Sequence, residues 1–526
     1  MTSSEVRALA QTCARALNRR AIPELESAAK QILQIDRNYA DAWFFLSIAA
    51  IERKKQQVAV ELIDNAIRLN PKHTEYVAHK ARLHAMAGQR EDAVAAADYG
   101  LSLKPDSPVV LDTLGVVYSR FDLHEKARDV LRRSVKVAPD NAQFQFNLAS
   151  VEQFLGNAST AEQYYKGAIQ LKPDFFRAHW ALSELAKNNE VPGGVETLER
   201  QWARADLSAE DRLYLGHTIS REKEKSGDYE AAFNYLDQGK AGTRARLGYD
   251  LAADRELFQS LKERFSEASR RSDLGDHCIF VLGMPRSGTT LVDRILSSHS
   301  KIVSMGEVQD LPRAVKQVSG SKTPVMLDAA MVKDSARFNF SEIGRQYLYN
   351  VGGRVDLTGY SLDKMPLNFL YVGYILNALP GARVICLRRN PMDTIVSNFR
   401  QLFAVNFSYY NYHYDLRTTA EYYCLFDDLM SHWRSVFTEA FFEVDYEKLV
   451  QSPESEVRAL CQQVGVDFEE ACLEFYKSDT AVSTASAMQV RQPLYQSAVN
   501  RWRRFGEALR PAMDVLEANQ ISWKAS

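Results

Sequence analysis

Cys278-Ile279-Phe280-Val281-Leu282-Gly283-Met284-Pro285-Arg286-Ser287-Gly288-Thr289-Thr290-Leu291-Val292 decides the fold of the carboxy-terminal half. Cys278 to Leu282 is a short apolar run, as in a strand buried on both faces of a parallel sheet. Gly283 to Thr290 is a turn rich in glycine and hydroxyl groups. Leu291, Val292, Ile295 and Leu296 then follow helical spacing. Strand, turn and helix start aim free backbone N–H groups and a positive helix end at an anion. Gly283 and Gly288 keep the separation of the glycines in a nucleotide-triphosphate loop, but Thr289 stands where that loop has its lysine. Arg286 is the only cation of the turn. Its planar fork suits a single phosphate. The competing reading is an ordinary strand-to-helix turn without a ligand.

Upstream, the chain is periodic. Pro71, Pro105, Pro139 and Pro173 are 34 residues apart, and Ala59, Ala93, Ala127 and Ala161 each precede one of them by twelve. Ala66, Gly100, Ser134 and Ala168 recur five residues before the prolines. A 34-residue period with small residues at helix crossings is the tetratricopeptide (TPR) signature. Small side chains let helices approach closely, and proline ends the second helix. Clear copies occupy about 40–175; 6–39 reads as a degenerate copy and 213–246 as a further one, with an interruption at Asn188–Gly194. We expect a TPR α-solenoid over 1–246, a bridging helix over 247–276, and an α/β domain with a parallel sheet over 277–526. Stacked repeats typically offer a groove to a peptide or protein. The array could equally be structural, or pack two copies of the chain into a homodimer.

Pro285-Arg286-Ser287-Gly288-Thr289-Thr290 resembles the 5′-phosphosulfate loop of sulfotransferases that use 3′-phosphoadenosine 5′-phosphosulfate (PAPS). With Gly306-Glu307 downstream, the chain is similar to protein-tyrosine sulfotransferases and to bacterial proteins joining a TPR array to such a domain. The resemblance implies a P-loop-like α/β fold and PAPS as co-substrate, giving 3′,5′-adenosine bisphosphate as product. It implies that Arg286, Ser287, Gly288, Thr289 and Thr290 hold the 5′-phosphosulfate and that Glu307 is the base. A carboxylate suits that role when partial burial raises its pKa. Lys364, in Leu362-Asp363-Lys364-Met365-Pro366, would touch the sulfate and the bridging oxygen. Fixed positive charge there stabilises the leaving phosphate, as metal ions do in phosphoryl transfer.

A second apolar run, Arg383 to Leu387, leads into Arg388-Arg389-Asn390-Pro391. The family places an arginine and, eight residues on, a serine against the 3′-phosphate; Arg389 and Ser397 have that separation, and Arg388 could share the role. Phe442 to Leu449 reads as a strand entering a helix, with Tyr446 implied near the adenine. Thr484 to Trp502 looks like the segment closing over the nucleotide. Ser486 would lie beside the sulfate, and Arg491 near the nucleotide, where Gln492 replaces a family lysine. The plainer readings are a capping Glu307, a solvated Lys364, two solvated arginines and a surface loop. The aromatic run from Phe399 to Phe426 fits an acceptor wall or a core, and His432 fits a structural role.

Net charge is −2, which offers nothing to nucleic acid or an anionic membrane. Six scattered cysteines without a C-x-x-C pair argue against zinc and disulfides, so no metal is expected. The start lacks a signal-peptide core, and no apolar run nears ~20 residues, so a cytoplasmic protein without a membrane span is expected. Two other functions compete with sulfuryl transfer to a peptide tyrosine, carbohydrate or small-molecule hydroxyl. One is an ATP-dependent kinase, which the missing loop lysine and acidic Mg²⁺ motif disfavour. The other is a scaffold that binds nucleotide without turnover, which Glu307 and Lys364 together disfavour.

Overall fold

A computed structural model describes residues 2–185, 192–268, 272–323, 325–353, 359–403, 408–477 and 498–524. The chain forms two compact units, Met1–Pro192 and Gly193–Ser526. In the first, helices come in pairs: Ala40–Glu52 with Gln56–Leu69, Thr74–Met86 with Arg90–Ser102, Pro108–Arg120 with His124–Val137, and Ala142–Phe154 with Ala158–Leu171. The expected degenerate copy is the pair Thr2–Asn18 and Ile22–Ile35. Each of the four prolines falls just past a second helix. Ala59, Ala93, Ala127 and Ala161 are fully buried. Crowding explains the small residues: a Cβ on Gly115 would sit 2.5 Å from Leu131 Cγ.

The second unit is built on five parallel strands, β1 (Cys278–Gly283), β2 (Ile302–Ser304), β3 (Tyr360–Lys364), β4 (Arg383–Arg388) and β5 (Phe441–Asp445), in the order β2-β3-β1-β4-β5. β1 is central and wholly buried, which is why it reads as an unbroken apolar run. Gly283 pairs with Leu387, so the turns after β1 and β4 leave the sheet side by side. The helix after β1, Thr289–Ser297, packs Val292 and Ile295 into one layer with Val281 and Leu362. The helix after β4, Pro391–Arg400, packs Met392 and Ile395 into the opposite layer with Phe280 and Trp433. Helices departing to opposite faces open a crevice between β1 and β4, the usual place for a ligand in such a sheet.

Four described helices before β1 fall in this unit, the first of them Gly194–Trp202. Ala252–Arg264, within the expected bridge, buries Leu257, Phe258 and Leu261 in the sheet's core. Ala209–Lys225 and Tyr229–Leu247, which the repeat spacing assigns to the array, also fall in Gly193–Ser526. Lys240 on the second of them is fully buried and donates to the carbonyls of Phe399 and His413, the latter at 2.8 Å. Glu224 on the first accepts from Arg400 Nε at 2.6 Å and from Arg501 Nη2 at 2.9 Å. No helix among the described residues is long and apolar enough to cross a membrane.

Candidate active site

The turn after β1 is shaped by close approach. Gly283 has φ +146, and a Cβ there would lie 2.8 Å from the Leu387 carbonyl oxygen. Gly288 has φ +111, and a Cβ would lie 2.7 Å from the Tyr446 ring. Between them Arg286 adopts φ 67, a left-handed conformation that a non-glycine residue adopts at a cost. The helix starts immediately after Gly288, at Thr289, two residues earlier than the apolar spacing indicates. Thr289 and Thr290 are buried in its first turn. Ser287 is 1% exposed, and its Oγ has no hydrogen-bond partner among the described residues. A buried hydroxyl without a partner is costly, and a bound anion at the helix mouth would satisfy it.

The turn after β4 lies against this loop. Arg389 Nη1 donates to the Arg286 carbonyl at 3.0 Å, and Nη2 to the Ala498 carbonyl at 2.7 Å. Its guanidinium carbon is 4.8 Å from the centre of the Tyr446 ring. The Arg389 side chain therefore lies against the backbone of the loop that carries Arg286. Arg388 does not join them: it pairs with Asp427 and, at 3.6 Å, with Glu443, as alternation along β4 requires. Ser397 is half-buried on the helix Pro391–Arg400. Next to it, fully buried Asn398 donates to the Pro285 carbonyl at 2.7 Å and accepts from Tyr412 Oη at 2.9 Å. Asp393 accepts from the N–H of Asn500 at 2.6 Å and of Trp502 at 3.0 Å. One helix thus fastens both the anion loop and the chain near Trp502.

Lys364 ends β3 beside Val281. It is 1% exposed and donates to Glu307 Oε1 at 2.5 Å. The Glu307 side chain is 39% exposed, so the pair spans the wall between core and solvent. Backbone bonds fix the register: Met305 N–H to Leu362 O at 2.8 Å and Lys364 N–H to Gly306 O at 3.1 Å. Asp363 points to the other face, taking Tyr347 Oη and Asn368 Nδ2, each at 3.2 Å; burial pushes its carboxyl well above the usual range. Tyr410 is half-buried near Glu307, and desolvation, then the Glu307 charge, raises its phenol. Tyr412 and Tyr422 stack at 4.0 Å within the core. His432 bonds the Phe265 carbonyl at 2.8 Å, a structural role.

Ser486, Arg491 and Gln492 lie outside the described residues. Asn398, Asp393, Asp293 and Glu224 escape a reading by motif. Each is one polar residue among others in a helical stretch, and the only signal is a polar group at a position that helical spacing turns inward.

Two turns side by side at the carboxyl ends of adjacent parallel strands, with Lys364 of the next strand paired to Glu307, define an α/β domain of the P-loop-like kind. Residues 278–470 match the sulfotransferase family and 142–175 the tetratricopeptide repeat: a sulfotransferase-family domain follows a repeat array. An uncharacterized protein of Aquifex aeolicus is 30% identical over 402 residues, which are 74% of this chain and 52% of that protein. The protein-tyrosine sulfotransferase of Drosophila melanogaster is 23% identical over 252 residues, 45% of this chain and 49% of that one. The chain therefore spans about half the length of each. The sulfotransferase domain of the Synechococcus PCC 7002 olefin synthase aligns with 47% of this chain and 94% of its own at 19% identity, with a TM-score of 0.32, too low to argue from.

Proposed function

We propose that this chain is a PAPS-dependent sulfotransferase acting on a hydroxyl acceptor. The observation that supports the reading is the Arg389 guanidinium bonded to the Arg286 carbonyl, because it brings the turn after β4 against the turn after β1. A nucleotide phosphorylated at both ends of its ribose fits such a pair. Arg286, Ser287, Gly288, Thr289 and Thr290 hold the 5′-phosphosulfate; Arg389 and Ser397 hold the 3′-phosphate; Tyr446 lies by the adenine, and Ser486 and Arg491 close the site. Glu307 takes the acceptor's proton as the acceptor oxygen bonds to sulfur. The bond from sulfur to the bridging phosphate oxygen breaks, its electron pair stays on that oxygen, and Lys364 stabilises the charge. The names of the relatives favour a peptide tyrosine as acceptor, recruited through the repeats; carbohydrate and small-molecule hydroxyls are the other arms of the test.

Calorimetry separates nucleotides, and transfer of labelled sulfate from PAPS to peptide and sugar acceptors separates substrates. Binding of 3′,5′-adenosine bisphosphate far tighter than ATP is the expected outcome. Tight ATP binding with no bisphosphate binding would refute the reading.

A further inference from the structure

Two consecutive carbonyls of the anion loop are held from outside it. Pro285 O accepts from Asn398 Nδ2 at 2.7 Å, and Arg286 O accepts from Arg389 Nη1 at 3.0 Å. Within the loop, the Ser287 N–H donates to the Met284 carbonyl at 3.2 Å. A trans peptide points its N–H away from its C=O, so holding the Pro285 carbonyl also sets the direction of the Arg286 N–H. Arg286 itself sits at φ 67, a backbone state that persists in a non-glycine residue only where the surroundings impose it.

The Asn398 brace is built in the core. Asn398 is fully buried on the helix Pro391–Arg400. Nδ2 also donates to the Thr394 carbonyl one turn back, at 2.9 Å, and Oδ1 accepts the Tyr412 hydroxyl at 2.9 Å. Tyr412 is fully buried as well; its ring stacks on Tyr422 at 12° from parallel, and its carbonyl accepts the Thr419 hydroxyl at 3.1 Å. A phenol donating to Oδ1 and two carbonyls accepting from Nδ2 leave the amide one orientation. Asp293 braces a different turn: its Oδ1 accepts the Ser304 hydroxyl at 2.5 Å, and Ser304 Oγ accepts the Gly306 N–H at 3.1 Å, next to Glu307.

We propose that Asn398, its amide fixed by Tyr412, is a positioning residue that holds the anion loop in its binding conformation and so sets the affinity for the 5′ end of the nucleotide. The inference rests on the sulfotransferase reading above. A loop fixed in advance loses less conformational freedom when the anion arrives. Without the amide, the Pro285 carbonyl is released, and the loop must be ordered by the nucleotide itself.

Calorimetry on the full chain tests this with two probes, 3′,5′-adenosine bisphosphate and adenosine 3′-monophosphate, which lacks the 5′-phosphate. The wild type should bind the first more tightly. In Asn398→Ala the bisphosphate should bind about tenfold more weakly, while the 3′-monophosphate stays within about twofold of wild type. Tyr412→Phe is the matched control. It leaves Asn398 Oδ1 without its donor and should lower the melting temperature, but Nδ2 stays on Pro285, so both affinities should hold within about twofold. Should Asn398→Ala fold poorly, Asn398→Ser replaces it with the same expected loss: a helix serine can bond the carbonyl four residues back, here Thr394, but is too short for Pro285. An unchanged bisphosphate affinity in the Asn398 variant overturns the proposal. So does an equal loss for both nucleotides, which would place the effect on the 3′ side or on the whole fold. A loss in Tyr412→Phe as large as in Asn398→Ala overturns it too, because stability alone would then account for both. A wild-type chain that neither binds the bisphosphate nor transfers sulfate defeats the sulfotransferase reading and this inference with it. An active wild type with unmoved affinities in the variants defeats the inference alone.

Discussion

Lys364 and Glu307 touch at 2.5 Å, yet they should fail differently when removed. Lys364→Ala deletes fixed charge where the leaving oxygen develops its own. It should lower kcat by about 100-fold, roughly 3 kcal/mol of barrier. Glu307→Ala should abolish turnover while bisphosphate binding survives, because a half-exposed carboxylate contributes little to holding an anion. Single-turnover rates and calorimetry on the two variants check this, and normal turnover by Glu307→Ala would remove the base assignment. Arg286, Arg389 and Lys364 could be singled out in the sequence because they end or follow apolar strand runs in a familiar order. Asp293 and Asn398 were not. Their importance comes from what they face across the sheet edge, and spacing along a helix carries no such information.

At the scale of elements, the repeat helices hide a proton-linked cost. His79, on the helix Thr74–Met86, is buried between Ser47 and Arg82. Ser47 gives its own proton to the Ala59 carbonyl at 2.7 Å, so His79 Nε2 is the donor to Ser47 Oγ and Nδ1 accepts from Arg82. Burial, then the Arg82 charge, pushes this imidazole down to about 3. The unfolded chain binds a proton near pH 6.5 while the folded one does not, so stability is lost as pH falls below that value. Compared with His79→Gln, the wild type should lose about 1.4 kcal/mol per pH unit between pH 6 and 4, measured by urea unfolding of both. A constant difference between them would contradict the assignment. Strand legibility follows the same physics. β1 and β4 read as apolar runs because both their faces are packed. β3 did not, since Ser361, Asp363 and Lys364 are buried polar groups whose partners come from other elements. β2 is only three residues long and leaves no pattern to find.

At the scale of the molecule, the helical period was plain and the edge of the second unit was not. Residues 213–246 have repeat-like spacing, but spacing reports which side chains turn inward and not what they meet. Here Lys240 and Glu224 meet the segments around Phe399, Arg400, His413 and Arg501. Residues 193–526 alone should bind 3′,5′-adenosine bisphosphate like the full chain. Residues 248–526 would leave two carbonyls without Lys240, at about 1–3 kcal/mol each, and two arginines without Glu224. They should melt about 10 °C lower or more, or fail to fold, as read by calorimetry. Equal melting of the two fragments would show that the hairpin is dispensable. The buried lysine also bears on descent. Recombination that swaps the array upstream of Gly193 hands the sulfotransferase-family unit over whole, whereas a crossover just before Cys278 strands it without its braces, so lineages that shuffle such arrays should show their breakpoints at the former and not at the latter.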